Sequence, residues 1–449
     1  MAFSALSKLN LSNNAIGDES IKYITSGLER SKCDKLVSLD LSHNCNSLTL
    51  ASVQKLACTG LLANTKWLFL ERTFTRDSDI GPEQVTNFLN ALSKHCHCLK
   101  MIDLSQNNLK VSESGASILG KIMSHCKVIL LGLQSHSAIV DIHHSISEDR
   151  LQITLGKTNL GDEGLIAFIE GLEGQGQFSR LELQENCITA KGLSYFVGSV
   201  CSGKIMIQGN TFPEDYIDED GFPDPGLIIA EEMENVELRL DYNSIGLEGT
   251  RKISEVLVSG YCQVKLLSLE GCKLTTDLSS CSPNGTDNYA AKCKDLGEFL
   301  HQMSASTTYT ITHLYFDCNI FTKERVQILA GFISLCPMLT VLSTCFCAIT
   351  SEDLSQLLDQ LAQLNIQNLF SALVTWHLSD NKIDDVGLSI LIEHLQQPSL
   401  FPYSTWPLCF DLHNNEVSTD MIAKLEKELE RRHKVSHQYL NAFIVYIYH

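Results

Sequence analysis

Basic residues are scarce in this chain of 449 residues. Lysine and arginine number 34 against 53 aspartates and glutamates, which gives a formal net charge of −19 at neutral pH. Nucleic acids and anionic membranes attract proteins that present a basic face. The charge balance therefore argues against nucleic acid and membrane as partners.

Long apolar runs are missing as well. A membrane-spanning helix needs about twenty apolar residues, and the most apolar stretch, YLNAFIVYIYH at residues 439–449, is shorter than that. No positively charged segment followed by an apolar core opens the chain, so we find no signal peptide. We predict a cytoplasmic location.

The chain also lacks the common motifs of catalysis and metal binding. It contains neither a G-x-x-x-x-G-K-[ST] phosphate loop nor a G-x-S-x-G turn. An EF-hand centred on Gly221 would need acidic residues where Tyr216 and Leu227 stand. The HCHC run at 95–98 flanks the entrance to a predicted strand, which favours packing over zinc binding. We expect no enzyme activity, no cofactor and no metal.

Cysteine, in contrast, is abundant, with seventeen copies. Five of them share one place, at the end of a predicted helix and just before the next strand, where a thiol acts as a small apolar side chain. We interpret them as reduced packing residues. They are Cys33, Cys96, Cys126, Cys262 and Cys336.

The dominant feature of the sequence is a repeat in the frame L-x-x-L-x-L-x-x-N-x-(I/L). Other residues fill the asparagine position at Thr73, His136, Thr158, Cys272 and Cys347, which brings nine asparagine copies to fourteen units. A spacing of about thirty residues predicts a solenoid. The asparagines are Asn14, Asn44, Asn107, Asn186, Asn210, Asn243, Asn319, Asn381 and Asn415.

Each unit is predicted to contain a strand, a turn and a helix. In the copy ending at Asn107, apolar and variable residues alternate, so Leu99, Ile102 and Leu104 face inward while Asp103 and Ser105 face outward. The asparagine amide can donate and accept hydrogen bonds, so stacked copies satisfy the backbone of the turn. Substitutes are expected to do so less completely.

Helical periodicity follows the asparagine. GDEGLIAFIEGL at 161–172 has Leu165, Phe168, Ile169 and Leu172 on one face. The segments AKGLSYFVGSV, DDVGLSILIEHL and GPEQVTNFLNAL repeat this pattern, and DMIAKLEKELERRHK near the end is predicted to cap the repeats. No unit can bury its apolar stripe alone, so neighbouring units must stack.

The motif resembles the long leucine-rich repeat of the ribonuclease-inhibitor type, which also occurs in the sensor domains of NOD-like receptors. The resemblance covers about Leu6 to Lys434. It implies a right-handed α/β horseshoe with parallel strands on the concave side, formed by one domain of about 14 repeats at 1–434 and a separate tail at 435–449. It also implies non-enzymatic protein recognition, like that of the ligand-sensing or autoinhibitory domain of a NOD-like receptor in innate immunity.

Two other functions stay open. The segment ERTFTRDSDIGPEQVTNFLNAL resembles an early repeat of Ran GTPase-activating proteins, which implies a catalytic role for Arg76, although an exposed loop arginine is the simpler interpretation. The third possibility is an inhibitor of a basic enzyme, as the ribonuclease inhibitors are. The regular spacing of the repeats is interrupted at an acidic stretch, 213–235, and between Cys272 and Asn319.

Residues at the fifth and seventh motif positions alternate with buried leucines and are predicted to line the concave face. Arg239 is the one basic residue that we find among the acidic ones there, so we predict a protein partner with a basic surface. Solubility of a large solenoid is the alternative explanation for these acids. The predicted protein-binding residues are Asp40, Trp67, Phe69, Glu71, Asp103, Glu182, Asp241, Tyr242, Glu270, Tyr315, Asp317, Phe346 and Asp411.

Overall fold

The computed structural model divides the chain into two compact units, unit 1 from Met1 to Gln208 and unit 2 from Gly209 to His449. The residues described are 5–44, 48–74, 80–132, 151–174, 176–207, 236–257, 259, 261–275, 296–297, 299–300, 311–321, 325–363, 370, 372–397, 400–401 and 408–436.

In unit 1, short strands alternate with helices, and the strands from β1 to β7 pair in parallel, each with the next. The strands are β1 (Lys8–Asn10), β2 (Ser38–Asp40), β3 (Trp67–Phe69), β4 (Met101–Asp103), β5 (Val128–Leu130), β6 (Leu151–Thr154), β7 (Gly176–Glu182) and β8 (Ile205–Ile207). The helices are α1 (Asp18–Arg30), α2 (Leu50–Cys58), α3 (Pro82–His95), α4 (Glu113–Ile122), α5 (Gly161–Gly171) and α6 (Ala190–Cys201).

Unit 2 repeats the same arrangement, with every neighbouring pair of strands parallel. Its strands are β9 (Glu237–Arg239), β10 (Leu266–Ser268), β11 (His313–Tyr315), β12 (Val341–Ser343), β13 (Thr375–His377) and β14 (Cys409–Asp411). Its helices are α7 (Gly246–Leu257), α8 (Val326–Ser334), α9 (Ser351–Gln363), α10 (Asp385–Gln396) and α11 (Thr419–Ser436). Both units are therefore α/β solenoids built on a parallel sheet, as predicted.

The helices form where the apolar periodicity places them. In α5, the side chains of Leu165, Phe168 and Ile169 are buried, which confirms the predicted inner face. Burial of these three apolar side chains against neighbouring repeats contributes on the order of 5 kcal/mol. At the start of α10, the Asp384 carboxylate caps the helix by accepting hydrogen bonds from two backbone amides.

The turn asparagine joins each repeat to the one before it. The Oδ1 of buried Asn107 accepts hydrogen bonds from the backbone amides of Thr73 (2.8 Å) and Phe74 (3.0 Å). Its Nδ2 donates to the carbonyl oxygens of Leu70 (2.7 Å) and Leu104 (2.9 Å). The predicted role of the amide is confirmed. Nδ2 also donates to a carbonyl of the preceding repeat in Asn44, Asn186, Asn319, Asn381 and Asn415.

Residues that replace this asparagine keep only part of its function. The Thr73 hydroxyl donates to the Leu41 carbonyl at 3.0 Å, and the Cys347 thiol donates to the Phe316 carbonyl at 3.4 Å. A hydroxyl or thiol has one hydrogen to donate, whereas the amide has two and an acceptor oxygen as well. Thr73 and Cys347 therefore offer the turn fewer hydrogen bonds than an asparagine does.

Two predicted repeats do not follow the sequence frame. Ile129 pairs with Ile102, so the position that corresponds to Asn107 is Gln134 and not His136; both lie outside the described residues. In β8, Ile205 pairs with Gly176, whereas the frame predicts a partner five residues later. The strand before Asn210 therefore does not continue the regular register.

The five cysteines predicted to fill a packing position are all buried. Burial raises the pKa of the Cys126 thiol to about 12, which makes it a poor nucleophile at neutral pH. All fourteen cysteines among the described residues are free thiols.

At the C-terminus, α11 is present as predicted and continues to Ser436, past the predicted boundary at 434. The buried Arg432 guanidinium donates to the carbonyls of Leu395 and Phe401, which fixes this helix on the preceding repeat. In the described part of the chain, no helix is both long and apolar enough to cross a membrane.

Candidate functional site

The strand register aligns the fifth motif positions in columns, one in each unit. In unit 1, Asn10 is opposite Asp40, which is opposite Phe69, which is opposite Asp103. The unit 2 column contains Arg239, Ser268, Tyr315, Ser343, His377 and Asp411. We call the face that carries these columns the outward face of the sheet.

Part of the outward face in unit 1 is apolar. Met101, Val128 and Leu130 are buried, with exposures of 2%, 0% and 8%, and the half-buried side chains of Trp67 and Phe69 pack against them. The sequence prediction rests on acidic and aromatic residues, so it does not include Met101, Val128 and Leu130, which are neither. Trp67 and Phe69 are thus held by apolar neighbours.

Glu182 does not lie at the surface where the sequence places it. Its side chain is fully buried and accepts a hydrogen bond from Arg180 Nε at 2.7 Å, and Arg180 is itself buried. A paired charge can be buried, whereas a lone one cannot. The prediction of Glu182 as an exposed binding residue is therefore wrong. Its partner stands two residues earlier, at the third motif position.

Other aspartates that were predicted to bind a partner accept hydrogen bonds from backbone amides in the turns that follow their own strands. Asp40 accepts a hydrogen bond from the Ser42 amide at 2.9 Å, and Asp103 accepts one from the Ser105 amide at 2.9 Å. Asp103 and Ser105 face outward as predicted but are both buried. Burial raises the pKa of the Asp103 carboxyl. Asp411 closes its turn in the same way, and His377 Nδ1 lies 3.4 Å from its Oδ2.

In unit 2, two aspartates at the seventh position hold the following repeat. Asp241 Oδ1 accepts a hydrogen bond from the Glu270 amide at 2.9 Å. Asp317 Oδ1 accepts hydrogen bonds from the Cys345 amide and the Ser343 hydroxyl, both at 2.7 Å. These two aspartates therefore have a structural role. The periodicity of the sequence shows that they face outward but does not show that they bond to the next repeat.

Burial raises the pKa of the Asp241 carboxyl from its ordinary value of 3.8 to about 6. Between about pH 4 and about pH 6, the unfolded chain loses this proton while the folded chain keeps it, so rising pH destabilises the fold through this group. Asp241→Asn keeps the acceptor oxygen and cannot ionise. We expect the variant to gain about 1–3 kcal/mol of unfolding free energy relative to the wild type across that window. Urea titrations at both pH values measure it, and a difference that is independent of pH would contradict the assignment.

Tyr242, Glu270, Gly271 and Cys318 join three successive repeats, and we call them the Tyr242 cluster. The Tyr242 hydroxyl donates to Glu270 Oε1 and lies 3.8 Å from Cys318 Sγ. Gly271, at φ +60°, allows the ring to lie across it, since a Cβ there would come within 2.5 Å of Tyr242 Cδ1. Burial raises the pKa of Tyr242, and so do its contacts with the Glu270 carboxylate and the Cys318 thiol.

Exposed apolar side chains continue from this cluster along the ends of the strands. Tyr242, Ile320 and Phe346 are 49%, 48% and 60% exposed. Tyr242 and Phe346 have positive φ values, 55° for each, a conformation that costs bulky residues free energy. The turn geometry thus directs two large rings outward, next to the half-buried carboxylates of Glu270 and Asp317.

Several predicted features lie outside the described residues: Arg76, the acidic stretch 213–235, the Gly221 loop and residues 437–449. Within the described ranges, no three His, Cys, Asp or Glu side chains converge on a point that could hold a metal ion. Glu71 is half-buried, 3.8 Å from His43 Nε2.

The parallel strands, the outward columns and the ladder of turn asparagines define a leucine-rich repeat protein. Residues 5–24 and 372–391 match a family model described as Leucine Rich repeat. The ribonuclease inhibitor of Sus scrofa is 25% identical over 435 residues, which cover 88% of this chain and 81% of that protein. Together with the fold, these matches support a leucine-rich repeat protein of the ribonuclease-inhibitor type.

Solved structures show more distant likeness. An internalin from Listeria monocytogenes is 13% identical with a TM-score of 0.40, covering 95% of this chain and 86% of that one. A chain of the yeast complex of Rad7 and Elc1 is 12% identical with a TM-score of 0.36, covering 90% of this chain and 86% of that one. These low scores carry no functional inference.

Proposed function

We propose that this protein is a non-enzymatic, cytoplasmic recognition scaffold that binds a protein partner through the outward face and strand ends of unit 2. The observation that carries the proposal is the Tyr242 cluster with its exposed neighbour Phe346. Large exposed aromatic side chains are typical anchors of protein-binding hot spots, and carboxylates around them would attract a basic partner. This role would resemble that of the sensor or autoinhibitory repeat domain of a NOD-like receptor.

The carboxylates determine which partner fits. Glu270 and Asp317 are half-buried, and Arg239 is the one lysine or arginine in the described part of the fifth and seventh columns of unit 2. Arg239 Nε is already 3.0 Å from Glu237 Oε2. A partner with lysine or arginine at its surface would therefore meet a face on which acidic residues outnumber lysine and arginine.

A second candidate function is inhibition of a basic enzyme, which the likeness to a ribonuclease inhibitor favours. Both candidates use the same face and differ in the partner. Activation of a GTPase through Arg76 stays a prediction; an unchanged GTP hydrolysis rate after Arg76→Ala would exclude it.

Glu270→Gln combined with Phe346→Ala is expected to remove the proteins that the wild type captures from a cell lysate. The pair deletes one exposed ring and one charge without touching the aspartates that hold the repeats together. Loss of a hot-spot anchor weakens binding by about 2 kcal/mol or more, roughly thirtyfold. Quantitative mass spectrometry of the captured proteins measures the loss.

Tyr23→Ala is the matched control, because Tyr23 is 78% exposed on α1 of unit 1. It should leave the captured proteins unchanged. A ribonuclease among the proteins lost would support the inhibitor function. Equal capture by the wild type and the Glu270/Phe346 variant would exclude this face as the binding site.

A further inference from the structure

Positive charge is concentrated where the chain of unit 1 enters β3, β4 and β5. The segments 58–66, 93–100 and 121–127 lead from a helix into each of these strands. Together they contain five lysines and three histidines, and no aspartate or glutamate. In a chain with a net charge of −19, this local excess is not expected from composition.

Three of these lysines are stacked by the strand register. Lys66, Lys100 and Lys127 each stand directly before the first residue of a strand. The Lys100 amide donates to the Lys66 carbonyl at 2.8 Å, and the Lys127 amide donates to the Lys100 carbonyl at 2.9 Å. Neighbouring strands are about 4.8 Å apart, so the three residues form a column of like charge, which we call the lysine ladder.

Histidines extend the lysine ladder on the helix side. The rings of His97 and His125 meet edge to face with centroids 6.2 Å apart. Burial lowers the pKa of His125, and so do His97, Lys100 and Lys127, which places these positive groups close enough to repel one another. His125 Nε2 is buried without a hydrogen-bond partner in the described part of the chain.

Helix ends do not explain the lysine ladder. Lys94 and Lys121 lie in the last turns of α3 and α4, where a cation is stabilised by the helix dipole. Lys66 and Lys100 lie beyond the helices and have no carboxylate within ion-pair distance among the described residues. Four lysines elsewhere in the described part of the chain do have a glutamate partner: Lys22, Lys157, Lys191 and Lys252.

We propose that the lysine ladder binds a short acidic segment of a protein partner. Side chains on one face of an extended peptide recur every 6–7 Å or so, so two or three carboxylates can lie along the three rungs. A long polyanion such as nucleic acid would also meet the negative charge of the rest of the chain. The lysine ladder is thus separate from the acidic face of unit 2 and has the opposite preference.

The test is the affinity of a fluorescein-labelled octapeptide of alternating aspartate and glutamate, measured by anisotropy. At about 50 mM salt, K66Q/K100Q/K127Q should bind about tenfold more weakly than the wild type. K22Q/K191Q/K252Q has the same net charge and should change affinity by less than about twofold. K66R/K100R/K127R should bind like the wild type.

Far-UV circular dichroism confirms that each variant is folded. Equal weakening by the two glutamine variants would show a nonspecific charge effect and overturn the proposal, as would no binding by the wild type. Tighter binding of single-stranded oligo-dT than of the peptide would overturn it in favour of a nucleic acid partner.

Discussion

Asn107→Ala should destabilise unit 1 by about 3–5 kcal/mol, because it leaves four buried backbone groups without their partner. Those groups are the amides of Thr73 and Phe74 and the carbonyls of Leu70 and Leu104. The loss is local, so hydrogen exchange at the Thr73 and Phe74 amides should accelerate by about 100-fold or more. Urea unfolding and exchange mass spectrometry measure both effects.

Asn14→Ala is the matched control. Asn14 occupies the same motif position in the first repeat, but it is exposed and its Nδ2 donates to the carbonyl of Ser12 at 2.8 Å, within its own turn. The expected loss is below about 1 kcal/mol. If both variants were destabilised equally, the ladder of asparagines would not be what joins the repeats.

Glu182→Ala should lower the free energy of unfolding by about 3–5 kcal/mol, because it removes the buried carboxylate that accepts the hydrogen bond from Arg180 Nε. Arg180 is 2% exposed and Glu182 is 0% exposed. Thermal and urea unfolding of unit 1 are the measurements. A binding residue at the surface would give almost no loss of stability, so the result separates the structural role from the one predicted by the sequence.

Two further variants test whether the loss of stability in Glu182→Ala comes from the buried charge pair. Glu71→Ala removes a half-buried carboxylate of the same face and should cost less than about 1 kcal/mol. Arg180→Met combined with Glu182→Leu removes both charges and should recover most of the stability lost by Glu182→Ala. A double variant as unstable as the single one would mean that packing, and not charge, is the cause.

Features that depend on local periodicity were predictable. The frame around Asn107 fixes which residues form the strand, and the apolar stripe of α5 fixes its buried face. The residues in the fifth column were also predictable, because parallel strands in register bring equal motif positions together. Each of these properties follows from one or two neighbouring repeats.

The sequence pattern could not predict whether an outward-facing side chain is buried by neighbouring residues. Glu182 and Asp103 occupy outward positions in the frame, yet both are buried. Position in a strand fixes the direction of a side chain, whereas exposure depends on the other residues that pack there. The role of Asp241 was unpredictable for the same reason, since its hydrogen bond to the next repeat depends on the turn geometry.

The Tyr242 cluster shows a further limit. Tyr242 was predicted as an aromatic on the binding face, but its contact with Glu270 depends on Gly271, one repeat later, which carries no side chain. Periodic motifs describe each repeat alone and do not report such pairs. A tyrosine at this position followed by a glycine one repeat later is the pattern that would have found it.

We propose that unit 2 recognises a basic protein through Glu270 and Phe346. The most direct measurement is the dissociation constant of the most abundant captured partner, for the wild type and for Glu270→Gln/Phe346→Ala, at low and high salt. We expect a partner with an isoelectric point above neutrality, binding that weakens as salt increases, and a loss of about 2 kcal/mol or more, roughly thirtyfold, in the variant. An acidic partner, or equal affinity for both proteins at low salt, would contradict it.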